Sequence, residues 1–506
     1  MSGLDAIELQ VVVGALRAAC EEMGGALVRS AHSPNIKERR DCSTALFDPD
    51  GEMVMQAEHI PVHLGSMPAS VAAVRDREQR EGLSWVLNDP FAGGTHLTDV
   101  TVVTPVFAAD DGPMLGFAAS RAHHADVGGR TPGSMPADSH TLAEEGVVIA
   151  PQPLTEQTIE DLVAQMRGPD ERRADLRAQL AANRTGATRL RELAERIGVR
   201  QLRAATAAVL DYAERRTRAC LAALPDGIYQ ASDVLEAAEG DLQLRLSATV
   251  DGEWLTLDFT GSAGRHAGNL NCPLAVTLSA CWFAVRVLTD PDVPPSAGAY
   301  RPVEVVVPEG TLLNARPASG EPPPAVAAGN VETSSRVADL VLRAFGRALG
   351  QGTMNNLTLG NQSFSYYETI GGGQGACPDA DGPSGVHVAM SNTLNTPVEA
   401  LERELPVRVR EYALRRGSGG AGAHRGGDGI VRELEALAEM DFSLISERRR
   451  HAPPGADGGE PGLPGRDALI DREGRQQPLP GKVNGVLRAG ERLRIETPGG
   501  GGQGAP

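Results

Sequence analysis

Two apolar runs, residues 100–107 and 115–119, stand on either side of Asp110, Asp111 and Gly112. Runs of strand length joined by such turn residues form an antiparallel ribbon. With the turn centred near Asp111, directly opposed residues have numbers that sum to about 222, so Asp99 faces His123 to within a residue or two. The ribbon therefore joins two polar stretches, NDPFAGGTHLTDV at 88–100 and RAHHADVGG at 121–129. His96, Asp99, His123, His124 and Asp126 are expected to converge on one sheet edge. Glycines at 93, 94, 128 and 129 let the flanking backbone fold closely over it.

Imidazoles with one or two carboxylates make a mixed nitrogen and oxygen site, suited to Zn²⁺, Mn²⁺ or Fe²⁺ and poor for copper(I). A hydrogen-bonded surface network of loop histidines would use the same residues, and spacing alone leaves both readings open. Alternation along a strand sends neighbours to opposite faces, so only one of His123 and His124 enters the site. Two further segments bear on it. In QAEHIPVHLGSM, residues 56–67, His59 and His63 flank Pro61, which rules out a zincin-type helical pair. A structural role in a buried loop and contact with substrate both fit them. In NIKERRDCSTALFD, residues 35–48, Asp41 follows a charged run and precedes an apolar strand.

The rest of the chain reads as mixed α/β structure of the α+β kind, with several sheet regions, an inserted helical hairpin and a Gly/Pro-rich C-terminal β region. Ile7, Leu9, Val12, Leu16 and Cys20 describe one face of a helix within residues 5–30. Residues 44–120 read as sheet. A helix starts at Pro169 with Asp170 and Glu171 behind it, and a second, at about 200–224, follows Gly198. The pair is expected to insert between sheets, contact a partner or simply pack in the core. Alternation across 242–259 around Asp251 and Gly252 marks a β-hairpin. Residues 275–288 and 335–349 look helical, and beyond Asn356 glycine and proline recur so often that only short strands fit. Leu493 and Ile495 lie in a late strand, and residues 499–506 read as a flexible tail. The expected regions are 1–150 around the metal site, 151–230 for the helical hairpin, 231–350 as α/β, and 351–506 as the C-terminal β region.

Several function classes are excluded. A net charge of −18 repels a phosphate backbone, so no nucleic-acid partner is expected. The run Arg448 to Arg450 reads as a solvated turn or a salt-bridged edge. The six cysteines form no CxxC pair, which points to reduced thiols and a cytoplasmic protein. No run of about 18 apolar residues and no basic, apolar leader is present, so neither membrane insertion nor export is expected. The Walker pattern GxxxxGK[ST] is missing, GSGGAG at 417–422 lacks a strand before it and a helix after it, and the GxSxG elbow of serine hydrolases does not occur.

Taken in order, NIKERRD, QAEHIPVHLGSM, NDPFAGGTHLTDV, AHHADVGGRTPGS, GNLNCP, AAGNVETSSRV, NTPVE, SGGAGAHRGGDG and TPGGGGQG resemble the hydantoinase B and oxoprolinase family across nearly the whole chain. That family takes in subunits of ATP-dependent N-methylhydantoinases, the C-terminal half of 5-oxoprolinases, caprolactam-type lactamases and a subunit of acetone carboxylases. The resemblance implies a hydrolase of cyclic amides that binds a divalent metal and works in a hetero-oligomer with a hydantoinase A-like ATPase subunit. ATP then acts on the partner, which phosphorylates the substrate oxygen. By motif, the implied metal ligands are Asp41, His96, Asp99 and His123. His59 or His63 would relay protons. A carboxylase of the acetone carboxylase type, or a scaffold with a structural metal, is the alternative outcome for the same residues.

Overall fold

Residues 5–58, 60–109 and 112–506 are described by the computed structural model. The first apolar face forms the helix Ala6–Ser30, opened by a capping box between Asp5 and Glu8. Its buried residues Val12, Leu16, Cys20, Met23 and Leu27 recur at three- to four-residue spacing, the period that puts them on one side.

That side packs on an antiparallel sheet of β1 (Cys42–Phe47), β2 (Met53–Glu58), β3 (Trp85–Leu87), β4 (Asp99–Phe107), β5 (Met114–His123) and β6 (Gln152–Pro153). Their order is β2-β1-β5-β4-β3-β6. The expected ribbon is β4 with β5. Asp99 pairs with His123, and the register holds to Val106 opposite Gly116 before a bulge pairs Phe107 with Met114. Asp110 and Asp111 lie outside the described residues.

The helix Pro169–Ile197 lies across the first helix and across β4 and β5. Its Gln179 donates to the backbone oxygens of Val100 (2.9 Å) and Ser120 (3.2 Å), so polar side chains anchor it to the sheet as well as apolar ones. Gly198, at φ +83°, turns the chain into the helix Val199–Leu221. Leu202, Ala205 and Val209 of that helix join the core formed by the first helix and the sheet. Core packing is thus what the helix pair does within this chain.

A second sheet holds β7 (Gly227–Glu236), β8 (Asp241–Asp251), β9 (Trp254–Asp258) and, parallel to β9, β10 (Val303–Val306). Asp251 pairs with Trp254, and Gly252 supplies the positive φ of +55° that the tight turn requires. The helices Leu274–Leu288 and Ser334–Ala344 pack together, the second covering β7 and β8.

The C-terminal region supplies the short strands its glycines and prolines allow: β11 (Asn356–Gly360), β12 (Ser365–Glu368), β13 (Val407–Arg415), β14 (Gly429–Ala436), β15 (Met440–Ile445), β16 (Arg466–Ile470), β17 (Gln476–Leu479), β18 (Lys482–Leu487) and β19 (Arg492–Glu496). They form two sheets, β12-β11-β15-β18 and β13-β14-β19-β16-β17. Leu357, Leu434, Phe442 and Ile495 share one core between them. The arginine run is a salt-bridged edge: Arg448 meets Asp233 at 2.7 Å, Arg449 meets Asp467 at 2.9 Å and Arg450 meets Asp241 at 2.8 Å.

The closing glycine run corrects the expectation of a flexible tail. Residues 499–503 are buried, with Gly500 donating to Gly427 O (2.9 Å) and accepting from Gly420 N (2.9 Å). A Cβ on Gly500 would lie 2.0 Å from Gln374 O. Glycine serves close backbone approach here, not freedom. None of the six cysteines, all among the described residues, is in a disulfide bond. Among the described residues no helix is long and apolar enough to cross a membrane.

Candidate metal centre

The end of the β4–β5 ribbon sets two of the candidate donors opposite each other, and the flanking backbone adds the others. Asp99 opens β4, and its N–H donates to His96 O at 3.1 Å, a turn that folds the His96 ring back over the Asp99 carboxylate. His123 closes β5, and its N–H donates to Asp41 O at 3.0 Å, so the residue before β1 is pinned beside it. Arg40, at φ +55°, makes the bend that delivers Asp41. Pro61 starts the short 3₁₀ turn Pro61–His63, which brings His63 beside the Asp99 carboxylate.

His96 Nε2 lies 3.1 Å and His123 Nδ1 3.3 Å from Asp99 Oδ1. His63 Nε2 lies 3.5 Å from Asp99 Oδ2, and His123 Nδ1 lies 3.9 Å from Asp41 Oδ2. Ligands bonded to one ion at about 2.0–2.2 Å sit roughly 3–3.5 Å from one another, so the three spacings to Asp99 are those of a coordination shell, with Asp41 a little further out. Two overlapping donor groups result, His96 with Asp99 and His123, and Asp41 with His63 and Asp99. All five residues are at most 5% exposed. Thr95 Oγ1 donates to Asp99 Oδ2 at 2.6 Å, and Ser43 Oγ lies 2.8 Å from His63 Nδ1, which fixes both orientations.

The electrostatics suit a cation. Burial lowers His123 to about 3, more than its hydrogen bond to Asp99 raises it, and burial lowers His63 as well, so both rings keep neutral lone pairs near pH 7. Burial would raise the Asp99 carboxyl, but the imidazoles of His96, His123 and His63 beside it hold it well below the ordinary value. Asp41 goes the other way: burial pushes it up to about 7 against the pull of Arg39. His63 Nε2 is fully buried and makes no hydrogen bond. A divalent cation would offset two buried carboxylates at once and find neutral imidazole donors beside them, so these residues fit the group the resemblance implies.

Two expected members of the cluster are elsewhere. His124 points to the other face, its Nε2 3.0 Å from Gln179 Oε1, as strand alternation requires. Asp126 is drawn away too: it accepts from Gly128 N and Gly133 N and pairs with Arg167 at 3.1 Å, bracing the loop after β5. His59 lies outside the described residues.

A small cavity, with about 20 Å³ open to the centre of a water molecule, is bounded by Asp41, His96, Asp99 and His123. Its far wall comes from the other half of the chain and carries Asn330 and Tyr367. Arg39 sits over the Tyr367 ring at 4.8 Å and donates to Tyr367 O at 2.9 Å. Sequence spacing marks neither Asn330 nor Tyr367, since only the packing of distant elements brings them to the cavity beside the ribbon.

Residues 5–506 match the family model for Hydantoinase B/oxoprolinase. The chain belongs to the hydantoinase B/oxoprolinase family. Arabidopsis thaliana 5-oxoprolinase 1 is 40% identical over 536 residues, covering 99% of this chain and 42% of that protein. The chain thus spans less than half the length of that relative. The crystal structure of the ATP-dependent caprolactamase from Pseudomonas jessenii shares 30% identity and superimposes with a TM-score of 0.90, covering 99% of this chain and 92% of that one. A nucleotide-free acetone carboxylase structure gives a TM-score of 0.89 over 99% of this chain and 76% of that one, at 17% identity, which shows a shared fold.

Proposed function

We propose that this hydantoinase B/oxoprolinase chain is the metal-binding catalytic part of an ATP-dependent cyclic-amide hydrolase, working in the cytoplasm with a hydantoinase A-like ATPase. The observation that carries the reading is the convergence of Asp41, His63, His96, Asp99 and His123 in two groups that share Asp99, the possible ligand atoms of each lying within 4.8 Å of one another. The names of the 5-oxoprolinase and caprolactamase relatives support the substrate class, and the missing Walker pattern supports a nucleotide site on a separate unit.

Amide resonance makes a lactam or imide carbonyl a poor electrophile, and phosphorylation of its oxygen on the partner would turn that oxygen into a leaving group. Asp41, His96, Asp99 and His123 would hold the divalent ion. Such an ion, when bound, supplies Lewis acidity and a water of lowered pKa. His63, held at Nδ1 by Ser43, presents Nε2 to Asp99 Oδ2 and can shuttle a proton at that atom. The same burial keeps bulk water from the new phosphate bond, whose cleavage at phosphorus would return the unopened ring. The cavity is far smaller than the roughly 300–1,000 Å³ of ordinary ligand sites, so the wall must move, or the partner must reshape it, before a ring enters.

The test is reconstitution with the ATPase partner and ATP, following ring opening of 5-oxoproline, hydantoin and caprolactam beside bicarbonate-dependent carboxylation of acetone. Ring opening that His96→Ala abolishes together with bound metal supports the proposal. Carboxylation alone would assign the site to the carboxylase branch. Full activity in a metal-free His96→Ala complex would reduce the ion to a structural role.

A further inference from the structure

The segment AAGNVETSSRV has no task in the metal centre as built so far. It forms a π-helical turn, Gly329–Thr333, that runs into the helix Ser334–Ala344. A π turn breaks the helical register of the side chains and is frequent where a side chain must be aimed. This one is clamped along its length. Glu145 accepts the N–H groups of Val326 (3.1 Å) and Ala327 (3.0 Å), Gly329 donates to Asn269 O (2.9 Å), and Thr333 Oγ1 donates to Leu270 O (2.7 Å). A Cβ on Gly329 would stand 1.7 Å from Asn271 O, so the turn is pressed against the neighbouring backbone with no room to shift.

The residue so held is Asn330. It is 3% exposed, it lines the same cavity as Asp41, His96, Asp99 and His123, and its Oδ1 makes no hydrogen bond. The wall around it includes the apolar Val62, Val331 and Met354. A buried amide oxygen left without a donor is unfavourable, and such groups persist where a ligand completes them.

We infer that Asn330 is a substrate-binding group, its Oδ1 accepting the ring N–H of a secondary cyclic amide, a hydrogen that O-phosphorylation leaves on nitrogen as an iminium, with the carbonyl carbon facing the Asp99 and histidine cluster. In small rings the amide is cis, so its N–H and C=O lie on one edge of the ring, and Asn330 and the metal cluster, which bound the same small cavity, can meet the two together. An N-alkylated ring has no donor for Oδ1 and sets a methyl group against it. The inference rests on the hydrolase reading for the class of ring and goes beyond it in assigning a preference for free N–H and the residue that imposes it.

The experiment uses the full chain loaded with Mn²⁺, alone and with its ATPase partner, and reads paramagnetic relaxation of 2-pyrrolidinone and of N-methyl-2-pyrrolidinone as binding probes. The wild-type protein should favour the N–H ring by about 10-fold or more, the worth of one neutral hydrogen bond with its acceptor otherwise stranded. Asn330→Ala and the near-isosteric Asn330→Leu should keep full Mn²⁺ stoichiometry and bring that ratio to about one. Equal binding of the two rings by the wild type overturns the inference, as does a preference that survives both substitutions. Loss of Mn²⁺ in the variants overturns it as well, since Asn330 would then be a ligand. If the complex opens no ring while the preference holds and depends on Asn330, the hydrolase reading falls and the assignment of Asn330 stands.

Discussion

The imidazole of His123 lies nearly parallel to the phenol ring of Tyr367, with ring centroids 4.5 Å apart and planes 10° from coplanar. His123 ends β5 in the first sheet and Tyr367 belongs to β12 in the third, so this stack joins the two halves of the chain at the candidate metal centre. Tyr367 is itself held: its hydroxyl donates to Asn356 Oδ1 at 2.8 Å, and Asn356 Nδ2 donates to Glu332 Oε1 at 2.8 Å. The orientation of one candidate ligand therefore depends on side chains more than two hundred positions away.

Two substitutions separate the ring of Tyr367 from its hydroxyl. Tyr367→Phe keeps the stack and strands Asn356 Oδ1, which should cost about 1–3 kcal/mol of stability with metal affinity little changed. Tyr367→Ala removes the wall behind His123, at about 3–5 kcal/mol. By freeing that ring, it should also weaken metal binding roughly 10- to 100-fold, as loss of an outer-shell partner does. Urea unfolding and chelator competition measure the two effects. An alanine variant with wild-type metal affinity would show that the stack orients nothing.

Glu145 makes stability depend on pH. Burial pushes its carboxyl from 4.5 up to about 7, even though Val326 N, Ala327 N and Ser139 Oγ donate to it. Between those values the folded protein holds a proton that the unfolded chain has lost. The contribution is therefore fully present below pH 4.5 or so and fades as pH rises to about 7, amounting to roughly 3 kcal/mol. Urea midpoints from pH 4.5 to 7.5 should fall less steeply in Glu145→Gln than in the wild type. Parallel profiles would mean that the three donors keep the carboxylate ionised throughout.

What could be read from the sequence was local in origin. The pairing of Asp99 with His123 follows from a short turn and a two-residue period, and the divergence of His123 and His124 follows from that period alone. Asp126 defeated the same reasoning because it lies beyond the strand end, where alternation no longer governs and Arg167 claims it. His63 was legible as a histidine near Pro61, but its approach to Asp99 needs the turn to dock against the sheet. Asn330, on a helical turn, and Tyr367, on β12, reach the cavity only through the packing of elements far apart in the chain, which no local pattern encodes. The terminal glycines misled because flexibility and close backbone packing ask for the same residue, and only the neighbours decide between them.

Those glycines can be tested one at a time. A Cβ on Gly500 would sit 2.0 Å from Gln374 O, and one on Gly501 1.9 Å from Pro454 O, both backbone atoms with no flexible end to yield. Gly500→Ala should cost at least the roughly 1–3 kcal/mol typical of overpacking. Gly264→Ala, with nothing within 4 Å, should stay within about 0.5 kcal/mol. Removing residues 499–506 strands the N–H groups of Gly420, Ala376 and Ala456, which donate to Gly500 O, Gly501 O and Gly502 O, and should lower the urea midpoint further. A truncated chain as stable as the whole would restore the flexible tail.

The adjacent histidines at the end of β5 offer the sharpest separation of binding from folding. His123 contributes Nδ1 to the cluster, 3.3 Å from Asp99 Oδ1, so His123→Ala should leave the folded protein with little bound metal. His124 faces the opposite side, where Nε2 meets Gln179 Oε1 at 3.0 Å and helps fasten the helix Pro169–Ile197 to the sheet. His124→Ala should therefore lose about 1–3 kcal/mol of stability and keep its metal, because the cost falls on a buried hydrogen bond and not on the donor set. Metal content per folded molecule, measured beside the urea midpoint, tells the two apart. The crossed result, with His124→Ala emptied and His123→Ala still loaded, would mean that the ion binds on the other face of β5 and that the cluster around Asp99 is a hydrogen-bonded network.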